Sequence, residues 1–267
     1  MSGGDDTQQA GPKPRPWSLP ALDVWNGLDR CLDAGPKGLA LVMAGLVAGW
    51  WIYVPLHELA HAYACIAAGG TVTELEIDTL YGGALLATIF PFVTAGSEYA
   101  GRLTGFDTGG SDLVYLATDL GPFLMTLLPG VWALRRFGTA GAAFAFGASL
   151  PFGLAPFLSL TGDAFEIGGL AVVQLGAFSA QELRPALISD DVFRWWGEAP
   201  DLAPEGTLGT VRVGGLLAFS IGLLWTFATY WLAHVLALAL GQGPVPAPQR
   251  AAGGTSTHAT NPNGADP

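Results

Sequence analysis

The chain has 267 residues, of which 51% are hydrophobic and only 12% charged, and its mean hydropathy is +0.42. A soluble domain of this size carries about a quarter charged residues, so the water-soluble globular class is excluded. The formal net charge of -11, from 11 Lys and Arg against 22 Asp and Glu, leaves no basic surface to neutralise phosphates and argues against a nucleic-acid partner.

Residues 1–16 are Gly, Pro, Gln and Asp with almost no apolar content, and are expected to be disordered. Residues 17–32 are amphipathic through Trp17, Leu19, Leu22, Val24, Trp25, Leu28 and Leu32, and are expected to lie along a membrane interface. Gly35-Pro36 breaks the chain. Residues 38–69 then predict one continuous apolar helix, free of charge between 39 and 56. It exceeds the ~20 residues that cross a hydrocarbon core of roughly 30 Å, so it must tilt, kink or extend beyond the bilayer, with Pro55 as the expected kink.

Gly69-Gly70 ends that helix. Residues 71–78 (TVTELEID) alternate apolar and polar side chains and predict a strand, followed by a Tyr81-Gly82-Gly83 turn. Residues 84–94 are expected to be a returning strand or a short apolar segment. Strand edges cannot face lipid, so this piece belongs at the interface or beneath helices. Residues 97–111 read as a polar, Gly-rich loop. Three apolar regions follow, 113–134, 140–174 with an interruption at 161–166, and 208–240. The last two are separated by a polar loop over 179–206 that contains Trp195-Trp196.

The fold class that follows is an α-helical polytopic membrane protein with about four to six transmembrane segments and a small interfacial β-like hairpin after the first helix. Its regions are a polar tail with an interfacial helix over 1–37, a membrane-embedded domain over 38–241, and a disordered tail over 242–267. Asp5, Asp6, Asp190, Asp191, Glu198, Asp201 and Glu205 fall in tails and loops and read as solvated surface. Lys13, Arg15, Arg30 and Lys37 precede the first span and Arg135-Arg136 follow the next clear one. Under the positive-inside rule this puts the N-terminus in the cytoplasm, as expected of a multi-pass protein of the bacterial inner membrane. The first apolar segment is expected to serve as the insertion signal, since no cleavable leader pattern precedes it. Of the two cysteines, Cys31 and Cys65, the second sits in an apolar segment, so no disulfide framework is expected.

The informative stretch is Leu56-His57-Glu58-Leu59-Ala60-His61, an H-E-x-x-H pattern on the first long helix. Histidines four apart on a helix stand one above the other, so both imidazoles can reach one metal ion. Glu58 points about 100° away, toward where a water or substrate would sit. That arrangement suits zinc with an open coordination position and a glutamate acting as general base. The third protein ligand must be another intramembrane acid, and Asp119, Asp163 and Glu166 are the candidates. Asp163 lies where the helical pattern breaks after Pro151 and Pro156, and a broken helix at membrane depth is tolerated where it lines a cavity.

These residues together resemble the site-2 protease family of intramembrane zinc metalloproteases (peptidase M50-like). The likeness runs over residues 39–169. It comprises the H-E-x-x-H on an early apolar helix, the Gly-rich strand-like stretch over 69–92, the later Gly121-Pro122, and a distal Pro156 followed by Asp163. The resemblance implies that His57, His61 and Asp163 bind Zn2+ and that Glu58 is the catalytic general base, with Glu166 as the reserve ligand. It implies a membrane-anchored protein or peptide as substrate. The family's Asp-Gly order differs here, with Gly162 before Asp163 and Ala164 after it. The alternative is a catalytically inactive membrane protein whose metal site is structural or regulatory and serves partner binding. A metal transporter ranks third, because only one cluster of ligating residue types is present.

Other residues carry weaker expectations. Asp119 reads equally as a partner of a ligating histidine and as a polar residue in helix packing. His234 is expected to bond a neighbouring carbonyl more readily than to reach the site. Cys65, one turn beyond His61, is a minor candidate for a fourth ligand. Trp50-Trp51, Trp195-Trp196, Trp225 and Trp231 read as interfacial anchors.

Overall fold

The computed structural model describes residues 15–176, 180–189 and 191–243. The expected disorder of the two tails concerns segments that lie almost wholly outside these residues, as do Asp5, Asp6, Lys13 and Asp190. Helix α1 (Leu19–Leu32) and helix α2 (Pro36–Ala67) are separated by a short turn in which Gly35 adopts φ 65°. A left-handed backbone is cheap only for glycine, so the break falls there. α2 runs unbroken for 32 residues with Pro55 inside it.

Beyond Gly69 the chain builds a three-stranded sheet in the order β2-β1-β3. β1 (Thr71–Ile77) was anticipated, but its partners were not. The stretch over 84–94, expected to be a returning strand or a short apolar segment, is a short apolar helix α3 (Gly83–Ala87) leading to a brief strand β2 (Val93–Ala95), which runs parallel to β1 rather than back along it. The antiparallel partner is β3 (Gly101–Asp107), inside the stretch expected to be a loop, and pairs from Thr71↔Asp107 to Ile77↔Gly101. Leu75, Ile77 and Val93 bury the inner face of the sheet on Leu59 and Ala62 of α2. This contact sets the sheet directly over the helix that carries the motif.

The first later apolar region is α4 (Asp112–Leu120), then α5 (Phe123–Met125), a wide turn over Thr126–Gly130, and α6 (Val131–Thr139). The second divides into α7 (Ala143–Gly153), α8 (Ala155–Leu158) and α9 (Asp163–Gln174), and the last is α12 (Leu208–Ala239). Among the described residues two helices, α2 and α12, are long and apolar enough to cross a membrane. A third candidate span is α4 continued by residues 123–139, bent by 43° at its break. α7, α8 and α9 are each shorter than one crossing requires.

The stretch over 179–206 is helical rather than a loop where it is described, with α10 (Ala180–Leu187) and α11 (Val192–Leu202). Asp191 caps α11, its Oδ1 accepting from the amides of Phe193 at 2.7 Å and Arg194 at 3.2 Å. Trp195 is therefore no interfacial anchor: it is buried against Phe165, Leu187 and Val211 and donates its indole N–H to the Ala186 carbonyl at 2.7 Å. Trp50, Trp51, Trp196, Trp225 and Trp231 stay exposed, as anchors must.

Small residues decide the helix contacts. A Cβ at Gly45 would lie 2.0 Å from the Phe144 carbonyl oxygen, one at Gly49 2.3 Å from that of Ala148, and one at Gly147 2.1 Å from that of Val42. α2 and α7 thus approach backbone to backbone, which is how helices associate where no water drives apolar burial. The expected interfacial helix α1 is packed through Cys31 against Val42, Leu134 and Phe146.

Candidate metal centre

α2 places His57 and His61 on one face, and each ring is oriented from behind. One turn before His57, the Tyr53 hydroxyl lies 2.8 Å from its Nδ1. The Nδ1 of His61 lies 2.8 Å from the backbone carbonyl of Thr118 on α4. A carbonyl only accepts, so this nitrogen carries a proton, and in the neutral ring Nε2 of His61 is left with its lone pair. α4 reaches that close because Gly121, just past its end, meets α2: a Cβ there would stand 2.4 Å from the Ala60 carbonyl oxygen. The two Nε2 atoms face each other at 3.2 Å.

Asp163 enters from the opposite side. The chain is irregular between α8 and α9, and Asp163 is the first residue of α9. Its Oδ2 lies 3.3 Å from His57 Nε2 and its Oδ1 3.5 Å from His61 Nε2. The ligand atoms of His57, His61 and Asp163 all lie within 4.8 Å of one another, and among the described residues they form the one such group of three. Asp163 Oδ2 is buried and accepts no hydrogen bond. Two imidazole Nε2 atoms and a carboxylate converging on one point form a donor set that can hold a cation, and hydrogen bonding to the distal imidazole nitrogens is what holds ligating rings in place. The residues therefore fit a metal ion.

The site opens into a cavity of about 740 Å³. Glu58 lines it beside the histidines, covered by Gly101 at the start of β3, where a Cβ would come 2.5 Å from its Cγ. Gly101, Arg102, Leu103, Thr104 and Phe106 form one wall, so β3, an edge strand, borders the metal group. Tyr115, Asp119 and Glu166 line the cavity too, with the Tyr115 ring 5.6 Å from that of Phe106.

Asp163 joins the histidines as the third member. Glu166, the reserve, lines the cavity but takes the Tyr115 hydroxyl on Oε1. The partner of His61 is the carbonyl of Thr118 rather than the neighbouring Asp119 carboxylate. Cys65 is directed at the Thr71 carbonyl, 3.9 Å away, and is outside the ligand group. His234 neither reaches the site nor bonds a carbonyl, and contacts Arg135 and Asp23 instead. Sequence reasoning missed Tyr53 and Thr118. The signal for Tyr53 was present, since it stands four residues before His57 as His57 stands before His61. Thr118 acts through its backbone, which no residue type announces. No family model, curated protein or solved structure matches the chain, so its likeness to site-2 proteases rests on the residues quoted above.

Proposed function

We propose that this chain is a zinc-dependent intramembrane endopeptidase acting on membrane-anchored protein substrates, with His57, His61 and Asp163 as ligands and Glu58 as general base. The observation that carries the reading is the spacing of the ligand atoms beside an available glutamate. A tetrahedron with zinc–ligand bonds of about 2.0–2.1 Å has edges of about 3.3 Å. The two Nε2 atoms stand 3.2 Å apart, close to that edge, and Asp163 brings Oδ2 to 3.3 Å from His57 and Oδ1 to 3.5 Å from His61, with one ligand atom of each residue within 4.8 Å of the others.

Zinc supplies Lewis acidity toward a peptide carbonyl and a water at such a site. Glu58 takes the proton of the attacking water as the carbon–oxygen bond forms, and returns it to the amide nitrogen as the carbon–nitrogen bond breaks. β3 offers unpaired backbone groups at its outer edge, on which an unwound substrate segment adds as a strand next to Glu58. β3 is the strand that lines the cavity. Tyr53 and the Thr118 carbonyl hold both imidazoles in the ligating orientation.

The test is elemental analysis of the detergent-purified wild type and of His57→Ala, Asp163→Ala and Glu58→Gln, alongside cleavage of a membrane-anchored model substrate in proteoliposomes. Wild type is expected to hold about one zinc per chain, the two ligand variants to lose metal and cleavage, and Glu58→Gln to keep metal while losing cleavage. Wild type without zinc overturns the reading. Zinc-loaded wild type that cuts no better than Glu58→Gln moves the assignment to a partner-binding metal protein.

A further inference from the structure

Asp119 is the second buried carboxylate with an oxygen left over. It sits near the end of α4, 4% exposed, and its Oδ2 has no hydrogen-bond partner. Burying such a group costs several kcal/mol unless something compensates it. Its position is set from both sides: the preceding carbonyl, of Thr118, is committed to His61, and Gly121 presses α4 onto α2. Asp119 is therefore held in the lining of the same cavity as the metal group.

Acidic side chains outnumber basic ones in the lining of that cavity. Its lining carries five carboxylates, Glu58, Asp119, Asp163, Glu166 and Glu198, against two arginines, Arg102 and Arg194. Arg194 is bound to Glu198 at 2.8 Å. A divalent ion would take up Asp163, and among the carboxyl groups that remain in the lining Asp119 is the one with an orphaned oxygen. A second metal ion is disfavoured there, since among the described residues no second group of three His, Cys, Asp or Glu brings its ligand atoms together. An ammonium or guanidinium at the tip of a long side chain needs only one or two acceptors and delivers its charge to a recessed position.

We infer that Asp119 is a specificity-determining residue that receives a lysine or arginine side chain of the segment bound in the cavity. The inference rests on the protease reading for what that segment is, but its chemistry is independent of cleavage. Charge-assisted hydrogen bonds contribute about 1.5–3 kcal/mol, which corresponds to roughly tenfold to a hundredfold in affinity.

The experiment uses the full-length, metal-loaded Glu58→Gln protein in detergent, so that binding is read without turnover. The probes are fluorescein-labelled Leu/Ala peptides with one lysine placed at successive positions, and their norleucine counterparts, followed by fluorescence anisotropy. At one position lysine is expected to bind at least about tenfold more tightly than norleucine, and adding Asp119→Asn should erase that ratio while norleucine affinity and metal content persist. A glutamate at that position should bind worst, a comparison that needs no Asp119 variant. Equal affinity for lysine and norleucine throughout, or none for either, overturns the inference, as does a ratio that survives Asp119→Asn. Loss of one of two bound metal ions in Asp119→Asn overturns it in favour of a second cation site. Failure of the protease reading shows separately, as absent zinc or absent cleavage in the protein with Glu58 intact.

Discussion

Two buried clusters of ionisable groups, one around His57 and His61 and one around His234, are assembled from similar residue types and differ in completeness. In the second, Tyr230 donates to Asp23 Oδ2 at 2.9 Å, Arg135 Nε lies 3.7 Å from Asp23 Oδ1, and Arg135 Nη1 reaches His234 Nδ1 at 2.7 Å. Arg135 Nη2 also donates to the Gly243 carbonyl at 2.5 Å. One anion meets one cation, and none of its side-chain oxygens or nitrogens is left over among the described residues. Around His57 the opposite holds. Ligand atoms of His57, His61 and Asp163 converge, Asp163 and Asp119 each keep an unsatisfied oxygen, and a cavity leads in. A closed cluster ties α1, α6 and α12 together, whereas an open one asks for a ligand. The balance of donors and acceptors separates the two roles, and the residue types do not.

Breaking the closed cluster gives the largest effect on stability. Asp23→Ala leaves Arg135 buried without its counter-ion and should cost about 3–5 kcal/mol, read as a lowered unfolding midpoint in detergent. Zinc content of the folded fraction should stay at the wild-type level. If metal is lost with it, the two clusters are not independent and the comparison fails.

The next effect is on metal rather than on folding. Tyr53→Phe removes only the hydroxyl behind His57, and loss of such an orienting partner lowers metal affinity by roughly tenfold to a hundredfold. A chelator competition series measures it, with the thermal midpoint of the metal-free protein as the control that should not move.

Tyr230→Phe is the mildest. It takes one donor from Asp23 while Arg135 remains, and should destabilise by about 1.5 kcal/mol with metal affinity unchanged. A cost equal to that of Asp23→Ala would mean that the hydroxyl, and not the arginine, is the main compensation for the buried carboxylate.

How much of this was legible follows from the range of the interactions involved. α2, its proline and the facing of His57 and His61 are local: they depend on residues within one or two turns, and helical periodicity alone determines them. The apolar spans are likewise set by composition, because a bilayer demands about 20 apolar residues whatever the rest of the fold does. β3 was hidden because its strand exists only by pairing with β1, and a Gly-rich segment such as 101–107 carries little strand preference of its own. α10 and α11 were hidden by their polarity, although the Asp191 cap was a readable start signal.

By itself, then, the sequence determined helices long and apolar enough to cross a membrane and an H-E-x-x-H pattern on the first of them, since both follow from short-range regularities in one stretch of chain. Only the tertiary structure decided that Asp163 meets those histidines, that Thr118 orients His61 through a carbonyl, that Asp119 is left with a bare oxygen, and that His234 belongs to a separate tie with Asp23 and Arg135. Each of these depends on which distant segments pack together. The packing is governed by where small residues such as Gly121, Gly45 and Gly49 let two backbones touch, and a one-dimensional pattern does not reveal which partner they will touch.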